Sequence, residues 1–242
     1  MQPEAVSAIA PLLPTPWLVS QRWRWVSFLH WRVPAGTVAP FMPRGTRPDE
    51  YDGSSWVGLI PFHLSAFTVR SGPALPYVGS FPEINVRLYS VDEAGRRGVV
   101  FLSLESSRLL AVLGARIGLG LPYVWATMRM RVDTTIDYSS RRFGRRHPQT
   151  SISVRPLPGA VEDDPLADFL TARWGLHTRL GGATRFLRNT HEAWPLQRAE
   201  LVSLDDGLVA AAGLPGIATR APDSVLFSPG VTTRFARPLR AV

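Results

Sequence analysis

Residues 81–89 read FPEINVRLY, and three of them can do chemistry at alternate positions: Glu83, Asn85 and Arg87. A carboxyl gives or takes a proton, a carboxamide donates and accepts, and a guanidinium binds a carboxylate through two parallel N–H groups. On a β-strand this spacing puts all three on one face, with Ile84, Val86 and Leu88 on the other. The Glu83–Arg87 pair is expected to hold Glu83 ionised and oriented. The aliphatic face must be buried. The polar row has two readings: a solvated outer face, usual for antiparallel sheets, or the lining of a pocket. Alternation alone favours solvent.

The remaining residues exclude more chemistry than they offer. There is no cysteine, which rules out disulfides, thiolate catalysis and cysteine-ligated metals. All 27 residues of the Lys+Arg total are arginine, so lysine Schiff bases, a lysine general base and a P-loop lysine are excluded together. His30, His63, His147, His177 and His191 show no metal-ligand spacing, and no metal centre is expected. His30, in FLHW, and His191, in HEAWPL, read as buried structural histidines. His30 would serve as a general acid or base if it shared a cavity with Glu83. The serine-elbow pattern GxSxG is absent. GARIGLG (114–120) follows a helical pattern rather than a strand, so no nucleotide cofactor is expected. Trp23, Trp25, Trp31 and Trp56 read as core packing that would also give a cavity an aromatic wall.

The elements that must position these residues follow from periodicity and turn residues. With 45% hydrophobic and 19% charged residues in 242, the chain is a folded globular protein of one large domain or two small ones. An extended arm is expected over residues 1–20 and a single domain over 21–242. Strands are expected in RWRWVSFLHWRV (22–33), in SSWVGLIPFHL (54–64) and in a hairpin over 83–106. Ser106 or Ser107 caps a helix through RLLAVLGARIGLG, and strands follow in YVWATMRMRV and QTSISVRPL. EDDPLADFLTARW is a helix capped by Asp163 or Asp164 with Pro165 in its first turn. Residues 183–204 read as a hairpin about Glu192–Pro195, DDGLVAAAGL as a short helix and SVLFSPGVTTRFARPL as closing strands. The class is mainly β (α+β), largely antiparallel, with two or three short helices.

The formal charge is +8, and a basic patch stands in RRFGRRH, Arg141 to His147, between two strands. A solvated hairpin loop is the plain reading, and contact with nucleic acid or other anions is the alternative. The first residues lack a basic n-region, and no apolar run is long and uninterrupted enough to span a bilayer. A cytoplasmic protein without membrane contact is expected.

Several stretches in order carry a resemblance. FLHWRVP, DEYDGSSWVGLIPF, FPEINVRLY, GVVFLSLES, LPYVWA and HEAWPL resemble the YqjF-like family of uncharacterised conserved bacterial proteins, over nearly the whole chain from Trp23. That family is similar in turn to the acetoacetate decarboxylase-like superfamily. The resemblance implies an antiparallel β-barrel cone with flanking helices around a central cavity. GSFPEINVR resembles the segment that puts a glutamate in the decarboxylase cavity, which implies that role for Glu83. In GLPYVWA, Gly120, Leu121 and Pro122 match the segment carrying the decarboxylase lysines, but Tyr123 and Val124 stand in their place.

With the resemblance, Glu83, Asn85 and Arg87 are expected to face a cavity. Schiff-base decarboxylation is excluded, because the imine that would accept electrons cannot form without lysine. The expected function is binding of a small organic acid or carbonyl ligand. Glu83 and Tyr123 are the candidate catalytic residues, and Asn85, Arg87, His30 and Trp56 the candidate ligand contacts. Any turnover would be lysine-independent acid–base chemistry on a keto, enol or enoyl compound. No cofactor is expected. A small molecule is the favoured partner, nucleic acid the less favoured one through the Arg141–Arg146 loop, and self-association into a homo-oligomer is compatible with both.

Overall fold

The structure is a computed structural model that describes residues 2–13, 16–70, 72–77, 79–109, 113, 116, 118–144 and 147–241. β4 (Phe81–Asp92) and β5 (Arg97–Ser106) form the expected hairpin. Its turn is set by Asp92, whose Oδ1 accepts from the backbone N–H groups of Ala94 and Arg96, and by Gly95 at φ +84°. An aspartate that hydrogen-bonds the turn backbone and a glycine free to take positive φ are what such a turn requires.

β3 (Ser55–Val69) pairs with β4 on one side and with β1 (Val19–Val33) on the other, and β1 pairs with β12 (Ser224–Phe235). These strands form a wall, and two closures spring from it. In one, β5 leads through β6 (Tyr123–Val132), β7 (Ile136–Arg142), β8 (Gln149–Ala160) and β11 (Gln197–Asp206) to β12. In the other, β5 meets β9 (Gly175–Leu180), which pairs with β10 (Ala183–Thr190), and β10 meets β12. The second closure is held by Val99 on Leu176 at one seam and by Asn189 on Phe235 and Thr190 on Arg234 at the other. The short strands β2 (Thr46–Pro48) and β13 (Leu239–Arg240) lie against β4 and β10.

The shared wall therefore has an interior on each side. Leu29, Leu59, Ile84, Val86 and Leu88 pack into a dry core with residues of β7 and β8. The opposite face turns toward the second ring, where Phe28, Ile60, Phe62 and Phe81 gather. Both faces of FPEINVRLY are thus enclosed, and Glu83 is only 3% exposed. The solvated reading of the polar row does not hold.

β1 serves both interiors by alternation and carries a bulge in its pairing with β3. Trp25 stands at φ +48°, an unusual conformation for a bulky residue. It shifts the alternation, so that Trp23 before it and Phe28 after it reach the same cavity. Opposite lies Gly230 at φ +129°, where a Cβ would collide with the Trp23 carbonyl oxygen.

The helices are α1 (Ala35–Val38), α2 (Pro165–Thr171) and α3 (Leu208–Ala211). Asp164 caps α2, its Oδ1 accepting from Leu166 N at 3.0 Å and Ala167 N at 2.9 Å. Leu109, Leu113, Arg116, Gly118 and Leu119 are helical, and residues 110–112, 114, 115 and 117 of that expected helix lie outside the described residues. The segment acts as a crossover that brings β6 alongside β5 in parallel, Tyr123 opposite Leu104. The expected hairpin over 183–204 does not form. β10 turns back on β9 through Gly181 and Gly182, both at positive φ, while β11 pairs with β8 and β12. The Gly-Gly pair is the stronger turn signal, and HEAWPL is an extended connection between two parts of the sheet. Among the described residues no helix is long and apolar enough to cross a membrane.

Candidate ligand-binding cavity

The second ring encloses a cavity of about 470 Å³, walled largely by aliphatic and aromatic side chains. Glu83, Asn85, Arg87 and Tyr123 all lie on its wall, together with Arg173 and His191. Strand pairing places the first three opposite Phe62, Ile60 and Gly58 of β3. The parallel register of β5 and β6 carries Tyr123 to Glu83, where its hydroxyl donates to Oε2 at 2.8 Å.

Glu83 and Arg87 do not pair. Four residues of extended strand separate their Cα atoms by roughly 13 Å, too far for a direct ion pair when the side chains diverge. Glu83 is consequently not held ionised. Burial pushes its pKa from 4.5 up to about 8, against the Tyr123 and Asn85 hydrogen bonds that favour the anion. Burial thus favours the neutral carboxyl near neutral pH. The Tyr123 phenol is pushed well above its ordinary value, first by burial and then by the neighbouring carboxyl. Asn85 Oδ1 is buried with no partner.

Arg87 leans the other way, to the last turn of α2. Its Nη2 donates to the Leu170 carbonyl at 2.8 Å and its Nε to the Tyr89 hydroxyl at 3.1 Å. Arg173, just past α2, donates through Nε to the Phe169 carbonyl at 2.7 Å and through Nη1 to Asp49. Helix C-terminal carbonyls lack intrahelical donors, and here two guanidinium groups supply them. Both cations sit over the Tyr89 ring, at 5.5 Å and 4.8 Å. Asp49 also accepts from Arg97, so one carboxylate faces two arginines. Among the described residues Arg87 has no carboxylate partner. The Nη2 of Arg173, whose side chain is 4% exposed, is buried without an acceptor.

Two expected contacts lie elsewhere. His30 shares the strand face of Arg87, the two flanking Gly58, whose absent Cβ would stand 3.2 Å from each side chain. The imidazole is sealed beneath the wall, with Nε2 at 2.6 Å from the Tyr89 hydroxyl. Burial, then the charges of Arg87 and Arg173, hold its pKa well below the usual histidine value. Trp56 is fully buried beside Tyr89 and Phe169, with Arg32 4.9 Å over its ring. Alternation put both on the correct face, but depth along the strand, which alternation does not encode, put them behind Tyr89.

Arg173 and His191 are the wall residues that sequence reasoning missed as contacts. Arg173 follows a capped helix, and the need to cap the other end was a usable signal. His191 is buried, its Nδ1 donating to the Glu192 carbonyl at 2.6 Å, with Trp174 and Trp194 close around it. In the basic loop, Arg142 is turned inward onto buried Glu105 at 2.6 Å, and Phe143 stacks on Trp125 at 4.1 Å. Arg145 and Arg146 lie outside the described residues.

Residues 20–232 match the family model DUF2071, described as an uncharacterized conserved protein. The chain belongs to this family. It is 35% identical over 187 residues to the uncharacterized protein YqjF of Bacillus subtilis (strain 168), covering 76% of this chain and 77% of that one. Solved structures share the fold. Acetoacetate decarboxylase from Legionella pneumophila superposes with a TM-score of 0.69 at 13% identity, covering 96% of this chain and 91% of that one. An acetoacetate decarboxylase-like enzyme from Sphingomonas wittichii RW1 gives 0.64 at 10% identity, with 93% and 94% covered. The enduracididine biosynthesis enzyme MppR, complexed with pyruvate, gives 0.61 at 18% identity, with 96% and 92% covered. The fold is acetoacetate decarboxylase-like, and with no lysine in the chain the DUF2071 cavity here holds no Schiff-base amine.

Proposed function

We propose that the cavity binds a small organic acid or carbonyl compound, with Arg87 the group for a carboxylate and Glu83, Asn85 and Tyr123, farther along the strand, the groups for a carbonyl or enol oxygen. The observation that carries this reading is the Arg87 guanidinium on an apolar cavity wall with no carboxylate partner among the described residues. A half-buried cation on an apolar wall without a counterion is poorly compensated, and a ligand carboxylate offsets that cost. The pyruvate held by the like-folded MppR supports the same class of ligand.

Any turnover would run through Glu83. As a neutral acid it donates its proton to a carbonyl oxygen, and as carboxylate it takes one from the adjacent carbon, so that keto and enol forms interconvert with protons balanced. Tyr123 steadies the carboxyl by its hydrogen bond.

A thermal-shift series with acetate, pyruvate, acetoacetate and levulinate tests the binding. The wild type should melt higher with at least one of them, and Arg87→Gln should lose that rise. A flat series, or an equal rise in the variant, overturns the proposal.

A further inference from the structure

Two features of the cavity bear on the size of its ligand. One is volume. At about 30 Å³ per water-sized group, 470 Å³ holds on the order of 15 heavy atoms, against about six in pyruvate. The other is segregation of polarity along the strands. The two guanidinium groups stand at one end, against the last turn of α2. β4 then runs through Asn85 and Glu83 to Phe81, a distance of roughly 20 Å from Arg87. Phe62 stands opposite Glu83, and beyond it the wall is mainly Leu64, Phe67, Phe81, Leu75 and Leu18, with Gln21 and Asn189 as uncharged polar members.

At the cationic end Arg87 uses Nε and Nη2 and keeps Nη1 for a ligand, whereas Arg173 uses Nε and Nη1 and its Nη2 is buried away from the cavity. Asp49 is shared with Arg97 and does not neutralise the pair.

We infer that the ligand is an amphipathic carboxylic acid with an apolar body of roughly eight to twelve carbons, its carboxylate on Arg87 in the field of Arg173 and its body against Phe62, Leu64, Phe67 and Phe81. This rests on the reading of the cavity as an acid-binding site and adds the class of acid. A short keto acid would fill only the cationic end and leave the apolar length of the cavity unused.

Calorimetric titration of the full chain with straight-chain carboxylates from acetate to tetradecanoate, and with decan-1-ol, tests the inference. The Kd should fall about fourfold per added methylene until the cavity is full near decanoate, and then level or rise. Decanol should bind about tenfold more weakly than decanoate, and Arg87→Met should weaken decanoate to the level of decanol. Butanoate and decanoate binding within about twofold of each other would overturn the size inference while leaving the acid site standing. Failure of every acid would overturn both. Decanoate binding that Arg87→Met leaves untouched would show adsorption elsewhere on the protein and overturn the inference, and the wild-type length series decides independently if that variant does not fold.

Discussion

Glu83 couples proton binding to folding. Its carboxyl titrates at about 8 in the folded chain and near 4.5 when exposed, so between those values the folded state holds a proton that the unfolded state releases. The stabilising contribution of the neutral form is fully present below the unfolded value and is lost as pH rises toward about 8. Denaturant unfolding from about pH 5 to about pH 8 should therefore show wild type losing on the order of 3–4 kcal/mol relative to Glu83→Gln. Parallel profiles for the two proteins would refute a neutral Glu83. The expectation of an ionised Glu83 arose from its spacing to Arg87, which sets a shared face but also a separation of roughly 13 Å along a strand. A periodicity shows which way a side chain points and not how far apart two heads end. For the same reason Arg87 was legible as a wall residue, while its partner, a helix carbonyl more than eighty residues away, was not.

The strands and capped helix were readable where local chemistry is strong. The Asp92–Gly95 turn, the Asp164 cap and the aliphatic rows of β3 and β4 each follow from a few neighbouring residues. The HEAWPL connection was misread because its proline marks a break in pairing without saying whether the chain turns back or moves to another strand. The β1 bulge was hidden for a related reason: it lies in the pairing with β3, and the close approach of Gly230 to Trp23 comes from a strand distant in sequence. Gly230→Ala should force the two backbones apart and destabilise the protein by about 2–4 kcal/mol. Urea unfolding checks it, and a loss under about 0.5 kcal/mol would show that this close approach is not needed to seat Trp23 and Phe28 together.

The two rings share a wall, and the chemistry of the whole molecule is constrained by its composition. The N-terminal amine is the single primary amine in 242 lysine-free residues. Incubation with acetoacetate or pyruvate and borohydride should leave every internal peptide unmodified by mass spectrometry, with any adduct confined to residue 1. An internal adduct would contradict a non-covalent site. The acetoacetate decarboxylase-like fold was legible through chained motifs, and the loss of its amine through a simple count. The double interior was not, because alternation in β4 looks the same whether its polar face meets water or a cavity.

The uneven closure of the second ring bears on what a bound ligand does to it. β9 and β10 are tied to the rest of the sheet by one residue pair on β5 and two on β12, whereas β1, β3 and β4 are knitted along most of their length. Amide protons of the shared wall should then exchange with solvent only on global unfolding, and those of the β9–β10 hairpin through local opening at lower free energy. A ligand held between them would tie the hairpin to the wall, so its binding should slow exchange at the seams of the ring before anywhere else.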